Sequence, residues 1–157
     1  MGKTTALRQA LKTAVYPLFE QNGFSADLRE APVMITFRRV QESRISLCNI
    51  QWDKAGTARF AVNFGSGAVD TVIAGMPGEK LLPQDAFVHN MPTCGRLDSG
   101  RDGGWFAQAP GFVGKLLGKK PRAEQDVMQD VITLLPDIFT FFDKAIVTPR
   151  LKFTRKA

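Results

Sequence analysis

The chain has 157 residues, 44% of them hydrophobic and 23% charged, the balance of a single folded domain with a sizeable core. No apolar run approaches the roughly 20 residues that span a bilayer, and two cysteines make no disulfide framework. The net charge of +6 is local: KLLGKKPR (115–122) and PRLKFTRKA (149–157) hold eight of the 21 Lys and Arg and no acid, while the remainder counts 13 bases against 15 acids.

The first predicted element is an amphipathic helix over residues 4–24. Leu7, Ala10, Leu11, Ala14, Val15, Leu18 and Phe19 follow the helical stripe. Pro17 predicts a kink or break near Tyr16, and Asn22-Gly23 ends the helix so that Phe24 packs back. Three strands come next, VMITFRRV (33–40), RISLCNIQW (44–52) and ARFAVNFG (58–65), rich in β-formers and separated by short turns. A three-residue loop within DKAGT pairs Trp52 with Ala58, Ile50 with Phe60 and Cys48 with Val62. A turn at Gln41-Glu42 pairs Val33, Ile35 and Phe37 with Ile50, Cys48 and Ser46. One face then collects Val33, Ile35, Phe37, Cys48, Ile50, Trp52, Phe60, Val62 and Phe64 as a core. The other collects Met34, Thr36, Arg38, Asn49, Gln51, Arg59, Ala61 and Asn63 with Ile45 and Leu47, and is solvent, a binding surface or the underside of the next segment of chain.

Residues 66–93 read as an irregular excursion in which TVIAGM is a candidate strand. CGRLDSGRDGGWF (94–106) reads as a Gly-rich loop crossing that second face. Residues 122–146 are helical, with a stripe of Val127, Met128, Val131, Ile132, Leu135, Ile138, Phe139, Phe142 and Ile146 and a predicted interruption at Pro136. The expected fold is therefore α+β: an antiparallel β-meander of three or four strands packed against an N-terminal helix and a Pro-interrupted C-terminal helix. Residues 1–148 form one domain and 149–157 a basic C-terminal tail.

The chemistry-bearing patterns are mostly weak. GKTT at Gly2–Thr5 lacks the strand and glycine loop that a phosphate cradle needs. GSGAVD (65–70) has Asp70 where the third glycine of a dinucleotide fingerprint belongs. His89 is the sole histidine, which excludes two-histidine metal sites. A zinc site from His89, Cys94, Cys48 and Asp85 matches no usual spacing. A Cys94–His89 nucleophile pair stays as one alternative. Asp98, Asp102, Asp70 and Glu79 are loop carboxylates with no demonstrated partner. No catalytic residue, metal or cofactor is assigned. Trp105 beside Arg96 is the more informative pair, because a guanidinium over an indole builds a cation–π contact or an anion site. Otherwise Trp105 plugs the sheet while Arg96 pairs with Asp98 or with Gln51 and Asn63.

Gly23-Phe24 after the first helix, Gln51 at a strand end, FAVNFG at Phe60–Gly65, Arg96 and the aromatic pair Trp105-Phe106 resemble a bacterial family of uncharacterised proteins, the domain-of-unknown-function family numbered 4304. The second aromatic is Phe106 where that family often carries Trp. The resemblance implies a bacterial, cytoplasmic, single α+β domain and no activity. It marks Gln51, Asn63, Arg96 and Trp105 as the shared polar and aromatic residues.

The expected function is a non-catalytic binding domain. Arg96 binds the carboxylate or phosphate of a small anionic ligand or protein partner, Trp105 supplies an apolar wall, and Gln51 and Asn63 supply directed hydrogen bonds. The main alternative is a nucleic-acid-associated protein using the basic 115–122 and 149–157 segments. A Cys-dependent enzyme and a toxin-neutralising partner rank below it. A cytoplasmic location and no membrane partner are expected, and the oligomeric state is left open.

Overall fold

The computed structural model describes residue 2 and residues 4–69 and 83–157. Helices α1 (Thr5–Ala14) and α2 (Tyr16–Gln21) come first. Strands β1 (Ser25–Asp27), β2 (Met34–Val40), β3 (Arg44–Trp52), β4 (Arg59–Ala68), β5 (Thr93–Leu97) and β6 (Phe106–Ala107) come after them. Helices α3 (Phe112–Leu116) and α4 (Glu124–Lys144) and strand β7 (Leu151–Arg155) complete the order. All strand pairings are antiparallel in one sheet of order β1-β2-β3-β4-β5-β7, with β6 pairing beside β5 on β4. The class is α+β as expected, with more strands than the three or four predicted.

Helices α1, α2 and α4 cover one face of this sheet. Leu7, Leu11, Val15 and Phe19, four residues apart, are fully buried, so one helical stripe faces inward. The helix breaks between Ala14 and Tyr16 with Pro17 in the first turn of α2, where its missing N–H costs least. From the sheet come Ile35, Phe37, Cys48, Ile50, Trp52, Phe60, Val62 and Phe64, and α4 adds Val127, Val131, Leu135 and Ile138. Phe19 stacks on Phe37 at 4.0 Å, and Phe139 meets Phe19 edge-on at 5.6 Å. That concentration of phenylalanine joins helices to sheet through rings with no polar tip to satisfy.

Several expectations are corrected. Both hairpins are offset by two residues from the predicted register: Trp52 pairs with Phe60, Ile50 with Val62, and Ile35 with Ile50. A shift of two preserves the faces, so the core face survives without Val33, which precedes β2 and is half exposed. The offset at the second hairpin comes from a wider loop. The Asp53 carboxylate accepts the Ala55 N–H and the Arg59 Nε–H, holding residues 53–58 outside the strands. The C-terminal helix is not interrupted: α4 runs through Pro136 and ends at Ala145, whose backbone is left-handed. Tertiary packing of its buried stripe outweighs the single hydrogen bond that Pro136 cannot make. Ile146 lies past that end and is exposed.

Residues 149–157 are not a free tail. Within them β7 is an edge strand on β5, with Leu151 buried and Phe153 packed on Phe64 and Phe141. Alternation hides two apolar side chains in a segment whose charge dominates its composition. Cys94 and Arg96, expected in a crossing loop, stand in β5 itself. The candidate strand TVIAGM lies outside the described residues.

Candidate functional site

The second face of the sheet divides into a covered and an open part. Short helical turns at Pro83–Asp85 and Val88–Asn90 bring Ala86, Val88 and Met91 onto Ile45, Leu47 and Cys94, a small second core. Gly65 makes room for it: a Cβ there would sit 3.0 Å from Met91 and from the Val88 carbonyl. Gly65 and Gly67 therefore continue β4 and open no phosphate loop. Arg38 ties the cover down by donating to the Pro83 and Ala86 carbonyls at 2.7 and 2.6 Å and pairing with Asp27 at 3.2 Å.

Beside this cover runs a row of directly opposed residues: Asp27, Thr36, Asn49, Asn63, Arg96 and Lys152, one from each of six strands. Opposed residues share a face, so polar side chains cross the sheet in line. Asn63 Nδ2 donates to Asn49 Oδ1 at 2.8 Å and to Gln51 Oε1 at 3.0 Å. Arg96 Nε donates to Asn63 Oδ1 at 3.0 Å, and the Arg96 guanidinium lies 5.1 Å from the Trp105 ring centre. The four residues singled out from sequence thus form one continuous chain of contacts. Two members of the cluster were not among them. Asn49 is almost fully buried, and Arg59 lies 4.6 Å from the Trp105 ring while pairing with Asp53 at 3.0 Å. Both lie on the predicted polar face; the two-residue register offset hid the opposition of Asn49 to Asn63, and the short strand β6, which brings Ala107 opposite Arg59, has no strand pattern in the sequence.

The segment after β5 explains how Trp105 returns to the sheet. Ser99 is its hub: Oγ lies 2.7 Å from both the Arg101 and the Trp105 carbonyl, either of which can take its single O–H, and accepts the Arg101 N–H at 3.3 Å. Gly103 and Gly104 take φ of 66° and 88°, a backbone that side chains resist. The Asp98 carboxylate accepts the Gly100 N–H at 2.8 Å. These bonds fold residues 98–104 into a tight return that delivers Phe106 to the core and Trp105 to the opposite face.

Two clefts flank the Arg96–Asn63 hydrogen bond. One, of about 410 Å³, is lined by Arg96, Asp98, Arg101, Asp102 and Lys152 together with glycines of the return. The other, of about 530 Å³, is lined by Asn49, Gln51, Asn63, His89, Cys94 and Arg155 among others, with no carboxylate among its described lining residues. Arg38, Arg59, Arg101 and Arg122 are ion-paired. Among the described residues, the only hydrogen bond from Arg96 is the one from Nε, and no carboxylate pairs with it. Burial pushes its pKa below the usual arginine value, the signature of a cation partly stripped of water with no counter-charge.

The remaining candidates separate in space. Cys48 is opposite Phe64 on the core face, whereas Cys94 is opposite Gly65 on the second face, so the sheet lies between the thiols. Burial pushes the Cys48 thiol well above its ordinary pKa. Arg155 donates to the His89 carbonyl and lies 3.6 Å from Cys94 Sγ, while the His89 ring stacks on Phe87. Asp85 pairs with Arg29 at 3.0 Å. Among the described residues no three His, Cys, Asp or Glu side chains cluster as a metal site would require. Asp70 and Glu79 lie outside the described residues.

Fold and site together define an α+β domain with one sheet face buried under helices and a polar row on the other. No family model matches the chain, and searches of curated proteins and of solved structures return no match. The resemblance to the domain-of-unknown-function family numbered 4304 therefore rests on the quoted residues alone. No helix among the described residues is long and apolar enough to cross a membrane.

Proposed function

We propose that this protein is a non-catalytic binding domain whose polar row receives an anionic group of a small ligand or of a protein partner. The observation that carries the reading is Arg96, aimed through Nε by Asn63, flanked by the Trp105 ring, and without a carboxylate partner among the described residues. A carboxylate or phosphate would take the free edge of the guanidinium, whose fork matches two oxygens. Lys152, opposite Arg96 in the row, adds a second positive charge. Asn49 and Gln51 each accept from Asn63 through oxygen, which leaves their amide NH₂ groups as donors toward the cleft they line. Asp98 and Asp102 in the other cleft disfavour an anion deep on their side, so the polar part of the ligand extends over Asn49 and Gln51.

Calorimetric titration with inorganic phosphate and citrate tests this on wild type, Arg96→Lys and Arg96→Ala. Binding in wild type that is lost in both variants, while each variant stays folded, supports the reading. A blank titration combined with severe loss of melting temperature in Arg96→Ala and Trp105→Ala makes the row purely structural.

A further inference from the structure

From residues 109–121 we infer a second site: a peripheral anchor for an anionic lipid surface. The segment is a closed excursion. Its neck is pinned where the Gln108 N–H donates to the Ala58 carbonyl at 2.9 Å and the Arg122 N–H donates to the Gln108 carbonyl at 2.8 Å. Inside it, α3 is a helical turn, with Lys115 N–H to Gly111 O at 2.9 Å and Leu117 N–H to Val113 O at 3.1 Å, closed beyond its end by Lys119 N–H to Gly114 O at 2.9 Å. A compact loop with joined ends holds its tip in a defined shape without support from the core.

That tip is apolar and uncovered. Phe112, Val113, Leu116 and Leu117 are 78%, 66%, 72% and 72% exposed. They are four of the nine large hydrophobic side chains exposed among the described residues, and they fall within six positions. Their spacing of i, i+1, i+4 and i+5 places them within an arc of about 140° on one helix face, and Lys115 falls outside it. Scattered exposed hydrophobics need no explanation, but a contiguous set does. Around this face stand Lys115, Lys119 and Lys120, exposed and without an ion pair among the described residues, while Arg122 is occupied by Asp130 at 2.9 Å.

The combination selects the occupant. Nucleic acid would use the lysines and leave the aliphatic side chains in water. A second copy in a two-fold contact would set the same lysines against each other. A bilayer containing acidic lipids accepts the apolar face below its headgroups and the lysines at their level. Such surface contact needs no spanning segment, and it is independent of the Arg96 row.

Flotation of the full chain with vesicles tests the inference. Mixed phosphatidylcholine–phosphatidylglycerol vesicles are compared with pure phosphatidylcholine, at low and high salt. Binding to the mixed vesicles alone, weakened by salt, is expected. The pair Leu116→Ser and Leu117→Ser reduces the partition coefficient by at least about 10-fold, and the pair Lys119→Gln and Lys120→Gln by about 30-fold. Both leave the melting temperature unchanged, because every side chain altered is exposed. In a Phe112→Trp variant, brominated acyl chains quench the new fluorescence. Absence of flotation overturns the inference. So does flotation insensitive to the serine pair, or a dimer in sedimentation equilibrium that the serine pair abolishes. RNA binding that the serine pair weakens in place of lipid binding overturns it as well.

Discussion

Replacing Asn63 by Ala interrogates the row at its centre. Asn63 is the one residue bonded to neighbours on both sides, donating to Asn49 and Gln51 and accepting from Arg96. Two neutral hydrogen bonds contribute about 1 kcal/mol each, and a bond to a charged group about 1.5 kcal/mol at a part-buried site. The substitution therefore costs about 3.5 kcal/mol, since Asn49 is too buried to regain water freely. For a domain of this size that lowers the melting temperature by about 7–14 °C. Urea unfolding followed by tryptophan fluorescence reads the loss as a lower midpoint at unchanged slope. Gln51→Ala, which breaks one of the three bonds, costs about 1 kcal/mol. A cost for Asn63→Ala no greater than that for Gln51→Ala refutes a coupled network and makes the three contacts incidental.

Gly95→Ala tests the docking of β7, because a Cβ at this position would lie 2.9 Å from both Phe153 Cα and Phe64 Cζ and closer still to the Lys152 carbonyl. Amide exchange in residues 151–155 should accelerate by more than tenfold, and unchanged protection would contradict the close approach. Asp27 is held well below the usual carboxylate range, first by the hydrogen bond from Arg29 and with help from Arg38. A depressed folded-state pKa contributes stability that is fully present above about pH 4 and is lost as pH falls through the folded value. Asp27→Asn should thus lower the melting temperature at pH 7 and converge on wild type in acid; a difference independent of pH would contradict the assignment. Both thiols are buried on opposite faces. Neither should react with a neutral disulfide reagent in the native state, both should react in urea, and fast native reaction of Cys94 would revive the enzyme alternative.

The elements governed by periodicity were legible in the sequence. The four-residue stripe of α1 and α2, the alternation in β2, β3 and β4, and the long stripe of α4 all fix which side faces the core. Register between β3 and β4 was less legible, because an Asx-type turn at Asp53 widens their loop without changing any face. In sequence, the residues of β5 and β7 read as loop and tail. Gly95 and the charges of 149–157 mask short strands whose pairing is decided by partners distant in sequence. The convergence of Gln51, Asn63, Arg96 and Trp105 was anticipated from shared parity and from a glycine-rich return. The part of Asn49 was not, since its burial depends on register and on packing that no local pattern encodes. The exposed tip at 112–117 was equally hidden, because an apolar run in sequence ordinarily predicts burial.

The central claim is that Arg96 is held ready for an anion. The most direct measurement is the Arg96 Nε–H resonance of isotope-labelled protein during titration with inorganic phosphate and with citrate, using Arg96→Lys to assign it. A slowly exchanging Nε–H, bonded to Asn63 before any ligand is added, is expected, with saturable shifts that extend to the Asn49 and Gln51 amide groups. A resonance that stays in place through both titrations, with those amides also unmoved, would contradict the claim.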